Sequence, residues 1–268
     1  MHGTYIGEGK MLIRPVWGSH LIVPAGDLSI TPYLITSGVF EAPLTNFFLK
    51  RVKPGDVVFD IGANSGYYTT MLGRLVGPHG KVVAYEPDPK MLRFLADNVG
   101  TNYLHQQVEI RNRAVYSKKT ELTLHVSEKF AGHSSIYKRD SSELRDFDTR
   151  FDPVVQEVAV QAGTLDGLIG DYPKVDYIKM DIEGGEYEAF LGMKEMLTKG
   201  VAGTVIFEWA RQALNENTDA FVALLGELSK QSGMVFYYLD AEGNPIPTTL
   251  ADFSRADFIH SVLLSKPL

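Results

Sequence analysis

The chain has 268 residues, of which 44% are hydrophobic and 22% charged, so its composition is that of a folded protein with a sizeable core. Its 26 Lys and Arg residues against 33 Asp and Glu residues give a formal net charge of −7, which argues against a broad nucleic-acid surface. The lack of Cys excludes disulfides, Cys-ligated zinc and a thiolate nucleophile. Without a long apolar segment or a signal-peptide pattern, we expect a cytoplasmic protein.

The first 50 residues differ from the rest and predict a small β-rich arm or cap. Three short apolar or alternating runs are separated by turn residues: Met11–Val16, Leu21–Pro24 and Leu28–Leu34. The arm also carries the aromatic residues Trp17, Tyr33 and Phe40. It is a candidate cover for the active site or for a partner subunit in a homodimer.

From Arg51 onward, apolar runs alternate with helical stretches, which is typical of a parallel sheet with helices on both faces. This pattern predicts one α/β domain over residues 51–268 with a Rossmann-like, seven-stranded, mostly parallel sheet. The predicted strands are Val57–Ile61, Lys81–Tyr85, Val108–Arg111, Val175–Met180, Thr204–Phe207, Met234–Leu239 and Phe258–Leu264. The alternation breaks between about residues 117 and 161, which predicts a lid-like insertion.

The first strand of this sheet runs into a glycine-containing turn and then into a helix. Gly62 and Gly66 let the backbone approach a ligand at the start of that helix. A dinucleotide-binding turn has the pattern G-x-G-x-x-G, but Asn64 replaces its middle Gly here. An acid at Asp60 would repel a pyrophosphate, whereas it suits the ammonium group of an amino-acid moiety. The turn therefore favours S-adenosylmethionine over NAD.

The next two strand ends supply further cofactor candidates. Glu86 follows Gly66 by about twenty residues, and an acid at this place can accept hydrogen bonds from both ribose hydroxyls. Asn112 and Ala114 follow the third strand. We expect these two residues to border the adenine.

Two later strand ends carry acids that we expect at the reacting end of the cofactor. Asp181 follows the strand that lies beside the first one across the switch point, and Glu208 ends the strand after it. Lys179 needs an acidic partner, because a buried ammonium group is costly when it is unpaired. We assign Glu186, and to a lesser extent Glu183, to capping of the following helix.

Several segments, in this order, resemble the FkbM family of S-adenosylmethionine-dependent methyltransferases. They are Asp60-Ile61-Gly62-Ala63-Asn64-x-Gly66-Tyr67-Tyr68-Thr69, Glu86-Pro87-Asp88, Thr164-Leu165-Asp166 and Ile178-Lys179-Met180-Asp181-Ile182-Glu183-Gly184-x-Glu186. The resemblance spans roughly Phe40 to Glu208 and implies a class I methyltransferase fold that uses S-adenosylmethionine. It also implies that Glu41 and Thr45 approach the methionine end of the cofactor, and that residues 132–135 form a polar loop over it.

These observations define a predicted site. The predicted cofactor contacts are Glu41, Asp60, Gly62, Ala63, Asn64, Ser65, Gly66, Tyr67, Glu86, Pro87, Asn112, Ala114, Ser134 and Asp181. The predicted catalytic residues are Asp181, Glu208, His133 and Lys179. In this hypothesis one of the first three removes or orients the acceptor proton, while Lys179 positions the acids. No metal ligand is assigned.

The predicted reaction is an in-line transfer of a methyl group to a hydroxyl or carboxylate of a small metabolite, of natural-product, aromatic-acid or sugar type. The alternatives are N- or C-methylation on the same fold, and a sugar O-methyltransferase in which Asp181, Glu183 and Glu208 hold Mg²⁺. Less favoured are an NAD-dependent oxidoreductase and a non-catalytic S-adenosylmethionine-binding module. The acidic charge disfavours RNA, and we expect neither nucleic acid nor membrane as a partner.

Overall fold

The computed structural model describes residues 2–127, 129–130, 132, 134–137 and 155–268. The strands are β1 (Gly3–Gly7), β2 (Lys10–Ile13), β3 (Leu21–Pro24), β4 (Val57–Ile61), β5 (Lys81–Tyr85), β6 (Val108–Arg111), β7 (Ala114–Val115), β8 (Thr120–Ser127), β9 (Val155–Gly163), β10 (Val175–Met180), β11 (Ala202–Ala210), β12 (Val235–Leu239), β13 (Pro245–Thr248) and β14 (Phe258–Ser265). The α-helices are α1 (Thr31–Ser37), α2 (Ala42–Arg51), α3 (Tyr67–Leu75), α4 (Pro89–Thr101), α5 (Glu186–Leu191), α6 (Lys194–Thr198), α7 (Arg211–Leu214), α8 (Thr218–Ser232) and α9 (Leu250–Phe253). None of these helices has the length and apolar character needed to cross a membrane.

The main sheet has eight strands in the order β13-β12-β14-β11-β10-β4-β5-β6. The five strands from β11 to β6 run parallel, whereas β12, β13 and β14 pair antiparallel. This order confirms the Rossmann-like fold and contains all of the predicted strands. The eighth strand, β13, was missed because Pro245 and Pro247 disrupt a strand pattern. Proline is accepted in such a strand because β13 lies at the edge of the sheet.

The order of the strands creates a crevice beside β4. The chain continues from β4 to β5 on one side, while β10 and β11 lie on the other side. Ligands of open α/β sheets bind at such a switch point, outside the carboxyl ends of the strands. In the ladder between β4 and β10, Lys179 lies opposite Asp60. The two residues are therefore brought together by backbone pairing.

The N-terminal region contains less β-structure than predicted. Strands β1 to β3 form a small antiparallel sheet, but the predicted strand Leu28–Leu34 is wrong because α1 begins at Thr31. Asp27 explains this helix start, since its carboxylate accepts hydrogen bonds from the backbone N–H groups of Ile30 and Thr31. Pro32 lies in the first turn, where its fixed φ suits a helix.

The N-terminal region shares a hydrophobic core with the main sheet. The cluster on this face of the sheet includes Ile13, Leu21, Val23, Leu34, Phe47, Phe48, Val58, Tyr68, Met71, Leu72 and Val82. Asn98 of α4 adds a polar connection, because its amide donates to the carbonyl groups of Ile22 in β3 and Ser65 at 2.8 and 2.7 Å. The boundary at residue 50 stays a prediction, and the packing is continuous across it.

The insertion after β6 is a separate small sheet of order β7-β9-β8. Its two long strands, β8 and β9, pair antiparallel along their length. Residues 138–154 and His133 lie outside the described residues. The described residues 134–137 return to this small sheet, where Ser135 pairs with His125 of β8.

Candidate active site

A cleft of about 1550 Å³ opens at the carboxyl ends of β4, β5, β10 and β11. Its walls come from the predicted glycine turn, from the N-terminal region around Tyr33, and from the strands that carry Glu208 and His260. Pockets for one drug-sized ligand measure about 300 to 1,000 Å³. The cleft therefore has room for a cofactor together with an acceptor.

The glycine turn between β4 and α3 depends on glycine at two positions. Gly62 and Gly66 have φ values of 75° and 94°, which other residues rarely adopt. A Cβ on Gly62 would lie 1.9 Å from the carbonyl oxygen of Asp181, and a Cβ on Gly66 would lie 2.7 Å from Leu95. The turn consequently packs against β10 and α4 with no room for side chains at these positions.

Glu86 fastens this turn from the end of β5. Its Oε2 accepts a hydrogen bond from the backbone N–H of Asn64 at 2.7 Å, and its Oε1 accepts one from Asp88 at 2.8 Å. Burial raises the pKa of Glu86 to about 8. In its ionised form the carboxyl group offers about four acceptor positions, so both oxygens can then still accept bonds from ribose hydroxyls. Asn112 donates to the carbonyl oxygens of Glu86 and Pro87 and so supports the same strand end.

Asp60 lies beneath the cleft and does not line it. The residue is fully buried, and its Oδ2 accepts a hydrogen bond from the Thr69 hydroxyl at 2.6 Å. Its Oδ1 is 3.4 Å from Nζ of Lys179. Asp60 therefore supports the turn from below. The direct contact with the cofactor stays a prediction, as it does for Gly66 and Asn112, which also do not line the cleft.

Lys179 is a buried cation that joins the glycine turn to the acids. Its Nζ donates to the carbonyl oxygen of Gly62 at 2.9 Å, lies 3.8 Å from Oδ2 of Asp181, and sits over the ring of Tyr68. Burial lowers the pKa of Lys179, but Asp60, Asp181 and Glu41 more than offset this effect and hold the pKa above its usual value. Lys179 remains charged and is placed to orient Asp181.

Four acidic side chains, Glu41, Asp181, Glu183 and Glu208, meet in the cleft at the ends of β10 and β11 and the start of α2. Carboxylate oxygens of Asp181, Glu183 and Glu208 lie within 4.8 Å of one another. Burial, followed by the charges of Asp181 and Glu183, raises the pKa of Glu208 to about 10. Burial and the charge of Asp181 likewise raise the pKa of Glu41 to about 7. The raised pKa favours the protonated form of Glu208, which can donate a hydrogen bond.

Glu41 reaches this cluster from the start of α2. It adopts a φ of 43°, and its Oε2 accepts a hydrogen bond from the Tyr68 hydroxyl at 2.7 Å. Thr45, in the first turn of α2, donates to the carbonyl oxygen of Phe40 at 2.7 Å and contacts the Tyr67 hydroxyl at 3.1 Å. Thr45 therefore holds the segment that presents Glu41.

The segment 134–137 closes one side of the cleft. Ser135 donates its hydroxyl to the carbonyl oxygen of Glu183 at 2.7 Å. The hydroxyl of Ser134, which lines the cleft, is buried and has no hydrogen-bond partner among the described residues. His133 was predicted as a catalytic residue, and it lies outside the described residues.

Most of the predicted site residues converge on this cleft. Those that line it are Glu41, Gly62, Ala63, Asn64, Ser65, Tyr67, Glu86, Pro87, Ala114, Ser134, Lys179, Asp181 and Glu208. Sequence reasoning missed cleft residues that come from distant elements, among them Tyr137, Arg211, Phe258 and His260. The available signal for His260 was an imidazole in the mostly apolar run of β14.

Comparisons with known proteins agree with a methyltransferase on this fold. A family model described as a methyltransferase FkbM domain matches residues 60–234, and the chain belongs to this family. The chain is 23% identical to methyltransferase sdnD of Sordaria araneosa over 194 residues, which are 65% of this chain and 74% of that protein. It is 26% identical to 2-O-methyltransferase NoeI of Sinorhizobium fredii over 181 residues, 65% of this chain and 71% of that protein.

Among solved structures, a precorrin-6y C5,15-methyltransferase from Geobacter metallireducens covers 89% of this chain. The match includes 94% of that chain, with a TM-score of 0.45 and 14% sequence identity.

The protein is a methyltransferase, and its cleft fits S-adenosylmethionine as the cofactor. Gly62 keeps side chains away from the backbone that faces the ligand, and Glu86 retains acceptor positions for hydroxyl groups. The buried hydroxyl of Ser134, which has no hydrogen-bond partner in the part of the chain that the structure describes, also fits a site that a polar ligand completes. When bound, the cofactor supplies an electrophilic methyl group on a sulfonium centre.

Proposed function

We propose that the protein methylates a hydroxyl group of a small metabolite and so forms a methyl ether. The observation that carries this proposal is the group of carboxyl side chains at the end of the cleft, formed by Glu41, Asp181, Glu183 and Glu208. An acceptor must bring its nucleophilic oxygen to this end, because Glu86 occupies the other end, where the ribose is expected.

The charge of this cluster distinguishes a hydroxyl from a carboxylate acceptor. Asp181 lies among other acids whose pKa values are raised by their mutual repulsion and by burial. A carboxylate acceptor would add another negative charge at close range, which disfavours binding. A hydroxyl adds no charge and can donate its hydrogen bond to a carboxylate. The name of the relative NoeI, a 2-O-methyltransferase, also favours oxygen as the acceptor atom.

Residues of the chain supply orientation and protection from water in this reaction. Asp181 is held by Lys179 and can accept a hydrogen bond from the acceptor. The aromatic side chains of Tyr33, Phe40 and Phe258 line the adjacent wall and can cover an organic acceptor. Holding the acceptor oxygen about 3 to 3.5 Å from the methyl carbon accounts for much of the expected rate enhancement.

A second candidate is a cation-assisted form of the same reaction. It is favoured by the spacing of Asp181, Glu183 and Glu208, whose oxygens are close enough together for one hard cation. A divalent cation would also bind the acceptor oxygen and lower the pKa of its hydroxyl group. Loss of activity with a chelator, followed by recovery with Mg²⁺, would support this form, whereas unchanged turnover would reject it.

The test of the main proposal uses matched acceptors. The purified protein is incubated with S-adenosylmethionine and with pairs that differ in one group, such as benzyl alcohol against benzoate and methyl glucoside against glucuronate. Products are then detected by mass. We expect methyl ethers and no methyl esters. Ester formation on the acids, with no reaction on the alcohols, would contradict the proposal.

A further inference from the structure

The cleft contains one imidazole that neither the predicted site nor the family match assigns. His260 belongs to β14, which lies beyond residue 234, where the matched region ends. Its side chain lines the cleft, but it lies outside the part around Glu86 where the ribose of the cofactor is expected, which we call the cofactor half. His260 lies instead beside Glu41 and the other acids. We therefore expect it to act on the acceptor and not on the cofactor.

A β-bulge directs His260 into the cleft. His260 and Ser261 together lie opposite the single residue Glu208 of β11, because the register of the ladder shifts here. The shift lies between two pairs of the ladder: Phe207 with Val262, and Trp209 with Ile259. In a regular strand, neighbouring side chains point to opposite faces, yet His260 and Ser261 both line the cleft. Bulges of this kind redirect side chains and are common beside active sites.

Glu41 approaches the imidazole from the other wall of the cleft. Nδ1 of His260 lies 3.8 Å from Oε1 of Glu41, while Oε2 of Glu41 accepts the hydrogen bond from Tyr68. The φ of 43° at Glu41 is an unfavourable conformation for a residue other than glycine, and it persists only where the surroundings impose it. Tyr68, Glu41 and His260 therefore form a chain that runs from the buried core to the cleft.

We propose that His260 is the general base of methyl transfer and that Glu41 positions its ring. This inference rests on the proposed function, because a hydroxyl acceptor, unlike a carboxylate, must lose a proton. As the acceptor oxygen bonds to the methyl carbon, its proton passes to Nε2 of His260. The carbon–sulfur bond breaks, and its electron pair stays on sulfur in S-adenosylhomocysteine. The imidazolium then returns the proton to water.

The charges around the ring suit this role. The acidic groups that face it are Glu41 from α2, Asp181 at the end of β10 and Glu208 across the bulge. Although 71% of the His260 side chain is exposed, the buried part of the ring lowers its pKa against the opposing charge of Asp181, which favours a neutral ring that can accept a proton. The raised pKa of Glu208 favours its protonated form. Asp181 stabilises the imidazolium that forms.

The kinetic test compares His260→Ala and His260→Gln with the wild type. We expect kcat to fall about 10²- to 10⁴-fold in both variants, the range that general-base catalysis contributes. The Kd for S-adenosylhomocysteine, measured by calorimetry, should stay within twofold, since His260 is outside the cofactor half. The matched control is His79→Ala, which should leave kcat unchanged. His79 is exposed and precedes β5, so it lies at the amino-terminal end of that strand, whereas the cleft lies at the carboxyl ends.

A second measurement tests the pairing without any acceptor. The imidazole of His260 is followed by NMR during a pH titration of the wild type and of Glu41→Gln. We expect the titration curve of His260 to differ in the Gln variant, because Oε1 of Glu41 lies 3.8 Å from Nδ1 of the ring. An unchanged titration curve would overturn the positioning role of Glu41.

The outcomes separate the two proposals. A wild-type enzyme that methylates no hydroxyl overturns both the proposed function and the base. A wild-type enzyme that forms ethers, together with His260→Ala at the same kcat, overturns the base alone. Loss of kcat that is matched by loss of S-adenosylhomocysteine binding also overturns it, because the residue would then serve the cofactor.

Discussion

The cleft has a cofactor half around Gly62 and Glu86 and an acceptor half around Glu41 and His260. These two halves are held together by different kinds of contact. In the cofactor half, the backbone N–H groups of Gly62 and Ala63 both donate to the carbonyl oxygen of Tyr85, and the carboxylate of Glu86 accepts from two further N–H groups. In the acceptor half, side chains such as Glu41 and His260 meet from distant elements. The cofactor half is thus fixed by local chain geometry, and the acceptor half by tertiary packing.

Lys179→Met should have the largest effect, because it breaks the cofactor half from below. The substitution leaves Asp60 as a buried carboxylate without its cation. Removal of one partner of a buried pair costs about 3 to 5 kcal/mol. We expect the free energy of unfolding, measured by urea denaturation, to fall by this amount, and binding of S-adenosylhomocysteine to be lost.

The control for this prediction is Lys174→Met, just before the same strand. Lys174 pairs with Asp176, but 77% of its side chain is exposed. Exposed pairs contribute about 0 to 1 kcal/mol. Adding Asp60→Asn to Lys179→Met should restore part of the stability. A stable Lys179→Met protein that still binds S-adenosylhomocysteine would show that the cation is not what secures the turn.

Glu208→Gln tests the acceptor half. Its effect on the free energy of unfolding should be intermediate in size and opposite in sign to that of Lys179→Met. A carboxyl with a folded-state pKa of about 10, far above its value in the unfolded chain, contributes stability that is present at low pH and lost as the pH rises. The wild type should therefore lose stability between about pH 5 and pH 10. Glutamine does not ionise, so we expect the variant to be more stable at pH 8 by about 1 to 2 kcal/mol.

Thermal and urea unfolding at pH 5 and pH 8 check this difference. Glu216→Gln is the matched control, since Glu216 also lines the cleft but is exposed. Equal stabilities of wild type and Glu208→Gln at both pH values would mean that Glu208 does not carry a strongly raised pKa.

Tyr33→Ala should have the smallest effect on stability. It should weaken binding of the acceptor without changing binding of the cofactor. The residue is 62% exposed, lines the cleft and contacts Phe40 edge to face. We expect the free energy of unfolding to change by less than about 0.5 kcal/mol and the affinity for the cofactor to stay constant. The KM for the acceptor should rise about tenfold, which corresponds to about 1.4 kcal/mol of binding.

Steady-state kinetics with each substrate in turn measure this change. Tyr103→Ala is the control, because Tyr103 is 88% exposed and does not line the cleft. Weaker binding of S-adenosylhomocysteine with an unchanged KM for the acceptor would contradict this prediction, because Tyr33 would then contact the cofactor and not the acceptor.

The sequence was sufficient for the sheet and for much of the cofactor half. A strand followed by Gly62 and Gly66, and an acid about twenty residues later, are local patterns with direct geometric meaning. The placement of Asp60 was less accessible, because its side chain packs against Thr69 and Lys179 below the turn. Which face a strand-end side chain takes depends on pairing that a motif does not specify.

His260 and its place in the acceptor half escaped prediction for physical reasons, although Glu41, Asp181 and Glu208 were predicted at this end of the cofactor. Glu41 and His260 are far apart in the chain, and they meet only because β14 returns antiparallel to β11 with a bulge. No spacing rule anticipates a bulge, and His260 alone resembles an ordinary surface residue. The helix α1 was likewise missed, since the cap supplied by Asp27 was taken for part of a turn between strands.

The amide of Asn98 has a consequence for protein engineering. One side chain fastens both Ile22 of the N-terminal sheet and Ser65 of the cofactor turn. Replacing the first 40 residues with those of a relative, in order to change the acceptor, would therefore also disturb the cofactor turn unless the new segment keeps a strand that can meet this amide. The unit to exchange is the segment together with its attachment point on α4.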